Sequence, residues 1–497
     1  MIEDRDVLER LTPLFPPPAD GLESCLRLGD RRRRNRRIRA IALAAVVTAA
    51  LVGSLVSSID RSKERPAQPN PITPSNVSDL RVAWSASTDA DPKPQDGVQG
   101  LAEADGSLYV VTGAHAEISA FPAACVVNHG GCDPIWTGHL GIQPGSCSPI
   151  RCVGAMTVGP AVADGLVFVG SLHRLSAFPV ACTDPCRPVW TAIIDVADGI
   201  VHQAVVANDV VYAGTGGGHL YAFPVSCEDP CEPLWVSQRQ RTSLRVLQVV
   251  NGVVYADTDD FWGSATPDAP KYDMGYAFPA ACAEGCRPLW TTRLDRVPNA
   301  VSLSAVGGIA YVGGSSDRGL TTLAAYRAGC GIEERCRAWA TSLPAAAADL
   351  IVVDGVLVVT VPGADQVRGY PLVCSEGCDP LWSATIPRVH GRPVGADGLV
   401  YLPSASGVTA VPVGCGTGGG TCQPIHVTNR HASGMSVGDD RVFVRSSNGR
   451  VSAFVPRPRD ETAAAHDGVG VAFPSAVLVV VLVGVAIAYV RSRRRIS

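Results

Sequence analysis

Three strand signals recur eight times in a fixed order along the middle of the chain, and an uncharged apolar stretch lies on each side of this repeat region. Repeats at a period of roughly 43–55 residues are typical of four-stranded blades arranged around an axis. We therefore predict an all-β fold, an eight-bladed β-propeller with four-stranded blades, flanked by two transmembrane helices.

The first signal is a tight hairpin turn followed by a short apolar strand. Asp-Gly, Asn-Gly and similar pairs supply the positive φ angles that such a hairpin needs. The apolar run before each hairpin, such as 203–207 or 247–250, supplies a further strand. The eight copies are DGSLYVV (105–111), DGLVFVG (164–170), NDVVYAG (208–214), NGVVYAD (251–257), GGIAYVG (307–313), DGVLVVT (354–360), DGLVYLP (397–403) and DDRVFVR (439–445).

The second signal is a strand that ends near an aromatic residue, and the third is a strand that contains a tryptophan. The copies of the second are ISAFP (118–122), LSAFP (175–179), LYAFP (220–224), GYAFP (275–279), LAAYR (323–327), RGYPL (368–372), VTAVP (408–412) and VSAFV (451–455). The third signal occurs at Trp84, Trp136, Trp190, Trp235, Trp290, Trp339 and Trp382, with His426 in the eighth place. Because the series begins near Trp84 and ends near Phe454, we expect the first strand to complete the last blade and to close the ring, which hides its edges.

These strands, with the turn and the tryptophan that follow them, resemble the repeat of quinoprotein-like (PQQ-like) eight-bladed propellers. That superfamily includes alcohol dehydrogenases and the outer-membrane assembly factor of the BamB type. The resemblance covers about residues 76–456, and it implies the architecture but not an activity, because the superfamily spans enzymes, sensors and scaffolds. This chain departs from the family before its tryptophan, where an Asp and a Thr-Gly turn are common and where it has Pro and a loop between two cysteines.

Sixteen of the 17 cysteines form close pairs in the sequence, and Cys25 stands alone. Local pairing of this kind indicates an oxidising exterior. We predict a disulfide in each pair, most of them across the turn between the third and outermost strands, where each would contribute about 2 kcal/mol. Zinc binding and redox-active thiols stay open as alternatives, although no histidine recurs at matching positions and CxxC spacing is absent. The pairs are Cys125/Cys132, Cys147/Cys152, Cys182/Cys186, Cys227/Cys231, Cys282/Cys286, Cys330/Cys336, Cys374/Cys378 and Cys415/Cys422.

The two apolar stretches, 40–59 and 471–490, carry no charge and are long enough to cross a bilayer as helices. Arginine runs lie before the first stretch and after the second, so the positive-inside rule places both termini in the cytoplasm and the repeat region outside. We predict a multi-pass plasma-membrane protein with an extracytoplasmic propeller. Its segments are a cytoplasmic tail (1–39), a transmembrane helix (40–59), a Pro-rich linker (60–75), the propeller (76–456), a linker (457–470), a transmembrane helix (471–490) and a cytoplasmic tail (491–497).

Two alternatives to this topology concern the charged and apolar ends of the chain. The first apolar stretch could be a cleaved signal peptide, although the charged region before it is long for a signal. The arginine runs could bind nucleic acid. The net charge of the whole chain is nevertheless −4, so the chain outside these runs is acidic, and we expect no nucleic-acid partner. The arginine-rich composition and the N-terminal tail resemble those of actinobacterial membrane proteins.

Enzymes of the resembled family carry two adjacent cysteines beside the quinone and a calcium site of Glu, Asn and Asp. In this chain no two cysteines are consecutive in the sequence. The acidic cluster Asp257, Asp259 and Asp260 is interpreted as a solvated loop. The glycine-rich segments 214–219 and 416–421 are interpreted as turns, because neither has the lysine or the following helix that phosphate binding needs. We therefore predict no catalytic residue, no metal site and no cofactor.

The predicted function is a non-enzymatic binding or scaffold propeller for an unknown protein or cell-envelope ligand. The largest turn, 258–274, contains Phe261, Trp262 and Tyr272, which are residue types that dominate binding interfaces. These rings are predicted to contact the partner, and the alternative is that they pack back onto the blade. Two other hypotheses remain: a transmembrane sensor whose N-terminal tail binds a cytoplasmic partner, and a PQQ-dependent dehydrogenase.

Overall fold

The computed structural model describes residues 71–457 with interruptions, and all of these residues belong to one unit of the chain, Pro69–Ser497. The interruptions are 88–97, 113–115, 126–130, 142–158, 241–242, 259–272, 283–284, 295–301, 316–320, 328–336, 375–376, 390–391, 417–418 and 447–448, with the single positions 346, 348, 405 and 439. The predicted membrane segments and tails therefore lie outside the described residues. The described part of the chain contains no helix with the length and apolar character of a membrane span.

The described strands form eight sheets, which we number as blades one to eight, and their pairings are antiparallel except for that of one short added strand. This arrangement confirms the prediction of an all-β, eight-bladed propeller with four-stranded blades. From the innermost to the outermost strand, blades one to four are β2 (Val98–Ala104), β3 (Ser107–Thr112), β4 (Glu117–Pro122) and β5 (Trp136–His139); β6 (Ala161–Ala163), β7 (Leu166–Ser171), β8 (Arg174–Pro179) and β9 (Trp190–Ile193); β10 (Val201–Ala207), β11 (Val210–Thr215), β12 (Leu220–Pro224) and β13 (Trp235–Val236); and β14 (Leu244–Val250), β15 (Val253–Thr258), β16 (Asp273–Pro279) and β17 (Trp290–Leu294).

Blades five to eight repeat this order, except that blade six has one added strand and blade eight is completed by the first strand of the chain. Their strands are β18 (Ser302–Val306), β19 (Ile309–Ser315), β20 (Thr321–Arg327) and β21 (Arg337–Ser342); β22 (Asp349–Val353), β23 (Val356–Val361), β24 (Gln366–Pro371) and β25 (Trp382–Thr385); β26 (Val394–Ala396), β27 (Leu399–Ser404), β28 (Gly407–Pro412) and β30 (Ile425–Thr428); and β31 (Gly434–Gly438), β32 (Arg441–Arg445), β33 (Arg450–Pro456) and β1 (Leu80–Ser87). The short strand β29 (Gly420–Thr421) comes from blade seven and pairs in parallel with β25 of blade six.

The ring closes as the sequence predicts, because the first strand of the chain is the outermost strand of the last blade. Strand β1 pairs antiparallel with β33, from Leu80 opposite Pro456 to Ser87 opposite Arg450. The chain therefore enters β1 and leaves β33 at the same end of these two paired strands.

The turns divide the propeller into two faces. In blades one to seven the innermost strand ends in a hairpin with positive φ, for example 51° at Asp105 and 73° at Gly106, as predicted for a tight turn. The turn between the third and outermost strands lies on the same face, and Ala123 there donates its backbone N–H to Gly106 O at 2.9 Å. We call this the cysteine-turn face. The connections between blades leave from the opposite face, the connection face.

The core lies between blades and is built around the tryptophans. Trp190 of blade two is buried between Phe168 of its own blade and Phe223 of blade three, with ring centroids 5.8 Å and 6.3 Å away. Its indole N–H donates to Val225 O of blade three at 2.9 Å. Trp84, Trp136 and Trp339 make the same bond to Ala123 O, Val180 O and Leu372 O of the following blade. One residue per blade therefore supplies both packing and a directional bond across each of these junctions.

Candidate functional site

A polar cavity of about 190 Å³ lies where the innermost strands of blades four to seven begin. These strands start at the connection face, so their first residues surround that end of the central channel. The polar residues of the cavity are Arg245, Gln248, Asp257, Ser304, Asp349 and Arg392. The apolar residues of its wall are Leu303, Leu350, Ile351 and Pro393. A concave site with a few convergent polar groups is the usual form of a small-ligand site.

The first charged pair of the cavity is Arg245 with Asp257, on neighbouring strands of blade four. The guanidinium binds the carboxylate with two bonds, Nε to Oδ1 at 2.9 Å and Nη2 to Oδ2 at 2.6 Å. Asp257 is 1% exposed, so the two bonds compensate for the loss of water around its charge. The prediction of a solvated loop was therefore wrong for Asp257, because the strand β15 extends through it. Asp259 and Asp260 lie outside the described residues.

The second pair of charges comes from blades six and seven. Asp349 is the first residue of β22, and Arg392 lies two residues before β26. Burial raises the pKa of Asp349, while the charges of Arg392 and Arg245 oppose that rise and Asp257 adds to it. The net result is a raised pKa, so the Asp349 carboxyl is held in an environment with little water. Gln248 links the cavity wall to blade five by donating from Nε2 to Ala305 O at 2.9 Å.

A second cluster of titratable groups lies at the junction of blades two and three. Asp198 ends a short 3₁₀ turn, Val196–Asp198, whose N-terminus is capped by the Asp195 carboxylate. The buried Asp198 carboxylate contacts His219 Nδ1 at 2.6 Å and accepts a hydrogen bond from the Tyr221 hydroxyl. The cluster thereby ties the connection between the two blades to the strand β12.

The hydrogen bonds of this cluster decide its electrostatics. Burial alone would raise the pKa of Asp198, but the bonds from His219 and Tyr221 outweigh burial, and the pKa is lowered. Burial and the neighbouring Asp198 charge raise the pKa of Tyr221. An Asp that holds a histidine Nδ1 can orient the ring as a general base. Among the described residues, the hydrogen bond of the His219 ring goes to Asp198, so the structure shows no pairing of this base with a nucleophile.

The residues predicted to bind a partner, Phe261, Trp262 and Tyr272, lie outside the described residues, and so do Cys147, Cys152, Cys330 and Cys336. The structure supports disulfide bonding at the other pairs, where the two Cα atoms are 5.5–5.9 Å apart. These disulfides join Cys125 to Cys132, Cys182 to Cys186, Cys227 to Cys231, Cys282 to Cys286, Cys374 to Cys378, and Cys415 to Cys422. Their thiolates are therefore not available to a metal, and the described part of the chain contains no group of three His, Cys, Asp or Glu side chains placed to hold one.

The cysteine turns also contact the preceding blade, which the sequence did not indicate. Cys186 donates its backbone N–H to Thr137 O of blade one at 2.7 Å. Asp184 of the same turn accepts from Thr137 N at 2.8 Å and from Thr137 Oγ1 at 2.7 Å, and these bonds lower the pKa of Asp184. The next junction repeats this arrangement with Cys231, Asp229 and Thr191. Each such turn therefore covers part of the outer edge of its neighbour.

Sequence reasoning missed Arg245, Asp349 and Arg392 as members of one site, because they come from three blades. One signal was nevertheless present in the repeat. Two residues after the buried aromatic of the second strand, Gly170, Gly214 and Gly313 occupy the position that Asp257 occupies in blade four. The other four blades have Val111, Thr360, Pro403 and Arg445 there, so Asp257 is the one acidic residue among the eight copies of this position.

The closed ring of eight sheets defines the chain as a β-propeller protein. No protein-family model matches the sequence, and no curated protein matches it. Solved structures similar to it include BamB from Moraxella catarrhalis, with a TM-score of 0.50 and 14% identity, over 76% of this chain and 99% of that one. The computationally designed protein Ika8 has a TM-score of 0.54 and 11% identity over the same shares of the two chains. Sqt1 of Saccharomyces cerevisiae has a TM-score of 0.54 and 8% identity, also over 76% and 99%. At these identities the similarity shows the fold alone.

Proposed function

We propose that this chain is a non-enzymatic binding or scaffold propeller that contacts a protein or cell-envelope ligand outside the cell. The observation that carries the proposal is a set of exposed apolar side chains at one equivalent position in blades one to four. We call this set the rim row: Ile135, Val189, Leu234 and Leu289, which are 51%, 52%, 56% and 56% exposed. Exposed apolar patches mark interaction surfaces, and we propose that the four side chains act together as one such surface.

The cysteine turns hold the rim row in place. Each member comes directly before the tryptophan of the outermost strand, and its backbone N–H donates to a carbonyl of the third strand. The four donor–acceptor distances are 2.6 Å for Ile135 and 2.7 Å for Val189, Leu234 and Leu289. Because the backbone is fixed by this bond and by the disulfide turn before it, binding there would cost little conformational entropy.

Blade six shows that the same position can be covered by another chain segment. Leu381 corresponds to the rim row, and its N–H donates to Gly369 O at 2.7 Å in the same way. Its own carbonyl accepts from Gly419 N at 2.9 Å, next to the strand β29. Leu381 is only partly exposed, which supports the view that an extended segment of a partner fits against the row in the other blades.

The proposal includes anchoring in the plasma membrane by the two apolar segments of the sequence, 40–59 and 471–490. It is supported by the pairing of Leu80 with Pro456, because the chain enters and leaves the ring at one edge and two anchors could extend from there together. In intact cells, we expect a membrane-impermeant maleimide to leave Cys25 unlabelled until the membrane is opened. Labelling of Cys25 from outside would contradict the topology.

The binding proposal is tested by capturing partners with the full-length chain. We expect Leu234→Asp combined with Leu289→Asp to abolish capture of the partner, because a charge at the rim row opposes apolar contact. The matched control is Ile193→Asp, since Ile193 is 73% exposed but lies at the other end of its outermost strand. Trp262→Ala tests the predicted aromatic loop in parallel. Undiminished recovery of every protein by the rim-row and Trp262 variants would contradict the proposal.

The non-enzymatic part of the proposal has its own test. The full-length chain is incubated with the quinone and calcium, and dye-linked oxidation of alcohols and sugars is measured. We expect no turnover above that of the Asp257→Asn variant. Turnover that this variant loses would instead favour the dehydrogenase.

A further inference from the structure

The cavity at the start of the innermost strands of blades four to seven contains equal numbers of positive and negative side chains, which come from separate elements. Arg245 and Asp257 satisfy each other through two hydrogen bonds within blade four. The other carboxyl, Asp349, and the other guanidinium, Arg392, belong to blades six and seven. The four groups sum to zero net charge when all are ionised. A ligand with a single charge would disturb that balance. A ligand with one positive and one negative group would not, and, unlike an uncharged ligand, it can contact an opposite charge at each end.

The rest of the lining restricts the size and the polarity of such a ligand. The cavity volume is about 190 Å³. It is smaller than the roughly 300–1,000 Å³ of sites for drug-sized molecules. Leu303, Leu350, Ile351 and Pro393 give one part of the wall an aliphatic surface. A short apolar group therefore fits beside the two charges.

We propose that this cavity binds a small zwitterion, an α-amino acid with an aliphatic side chain. Its ammonium group pairs with the Asp349 carboxylate, its carboxylate pairs with the Arg392 guanidinium, and its side chain contacts the apolar wall. The Arg245–Asp257 pair and Gln248 form the fixed polar part of the site.

Two further observations support this assignment. The raised pKa of Asp349 reflects a carboxyl with little water around it, which is the environment in which an ammonium partner has the largest effect. The cavity also lies on the connection face, away from the cysteine turns that hold the rim row. A small ligand and a protein partner could therefore be bound separately, and this inference does not depend on the proposed function.

The test is isothermal titration of the purified full-length chain with four probes. L-leucine carries both charges, 4-methylpentanoate lacks the amine, 3-methylbutylamine lacks the carboxylate, and glucose carries no charge. We expect one L-leucine per chain, with each single-charge analogue binding at least about tenfold more weakly, because each lacks one charge-assisted contact. Glucose is expected to give no binding.

Two variants assign the charges, because each should affect only the ligands that use it. We expect Asp349→Asn to weaken L-leucine and 3-methylbutylamine at least about tenfold and not to weaken 4-methylpentanoate. Arg392→Gln should do the reverse, and Arg392 lies outside the strands, so this variant alone decides the question if Asp349→Asn does not fold. The control is Asp354→Asn, in a hairpin of the opposite face. Absence of binding by every probe, equal binding of glucose, or unchanged L-leucine binding in both variants would overturn the proposal.

Discussion

At the scale of single residues, the indole N–H groups show how one side chain joins two blades. Trp190 donates to Val225 O at 2.9 Å. The buried Nε1 of Trp382, in contrast, has no hydrogen-bond partner among the described residues. The two tryptophans therefore occupy equivalent places in the repeat, but only one of them has the directional bond.

We predict that Trp190→Phe and Trp382→Phe lower the free energy of unfolding by amounts that differ by about the contribution of that hydrogen bond. Both substitutions remove the same ring area, but only Trp190→Phe leaves a buried carbonyl without its donor. Trp190→Phe should therefore lower the free energy of unfolding by about 1 kcal/mol more than Trp382→Phe. Denaturant titrations of both variants measure the difference, and equal costs would show that the bond contributes nothing net.

The Asp198 cluster predicts a dependence of stability on pH. Because hydrogen bonds from His219 and Tyr221 lower the pKa of Asp198 in the folded state, its contribution is present above the ordinary aspartate pKa of about 3.9. The contribution is lost as the pH falls through the lower folded value. At pH 7 we expect Asp198→Asn to lower the free energy of unfolding by about 2 kcal/mol.

The difference in the free energy of unfolding between Asp198→Asn and the wild type should become smaller as the pH falls. Thermal unfolding between pH 7 and about pH 2 follows this change across the window below the ordinary aspartate pKa, with Asp209→Asn, in a hairpin of the opposite face, as the control. A difference that stays constant over this range, or that grows in acid, would contradict the assignment.

The residues of the candidate sites were the feature of the molecule that the sequence predicted least well. Asp198 lies in a connection, and its partners His219 and Tyr221 follow two strands later, with no motif that links the three. Arg245, Asp349 and Arg392 come together only because the ring brings the starts of several innermost strands to one channel end. In the repeat, Asp257 was visible as the one acidic residue at its position, and its burial follows from the length of β15.

At the scale of elements, the turn between the two cysteines has two roles. It bridges its own hairpin, as the spacing of the cysteines predicted. It also binds the outermost strand of the preceding blade through a backbone N–H and an aspartate, as Cys231 and Asp229 do at Thr191. The second role follows from the closeness of neighbouring blades at the rim, and a pattern within one repeat carries no information about it.

We predict that replacing Cys227 and Cys231 together by alanine affects both blades. The loss of the loop closure should lower the free energy of unfolding by about 2 kcal/mol. The Thr191 amide of the preceding blade should also exchange its hydrogen faster, because the turn that holds it is loosened. Hydrogen exchange measures this effect, with Glu228→Ala in the same turn as the control. Unchanged protection of Thr191 would limit the role of the disulfide to its own hairpin.

At the scale of the whole molecule, the ring depends on one contact between the two ends of the propeller. The eightfold repeat predicted the number of blades, and the order of its strands predicted that β1 would complete blade eight. Both predictions are confirmed, because closure is a property of strand order and can be read from the first and last repeats. The placement of the membrane segments stays a prediction.

We predict that a chain lacking residues 1–87 forms an open ring that associates through the edge of β33. Without β1, the side of β33 that faces away from β32 has no partner strand, and an unpaired edge invites pairing with another molecule. Returning residues 76–87 after Arg457 through a short loop should restore a monomer, since Leu80 lies opposite Pro456. Size-exclusion chromatography distinguishes the two outcomes. A monomeric truncated chain with an unchanged melting temperature would show that β1 is dispensable.

The bonds between each cysteine turn and the blade before it also bear on how the protein is made. As the polypeptide emerges from its N-terminus, every newly finished sheet waits for the succeeding one to shield its flank. At any moment of synthesis, the most recently made sheet is then the one that still lacks the contacts of a succeeding sheet. The final sheet waits instead for a segment made long before, so the earliest part of the ring has to remain available until the last part arrives.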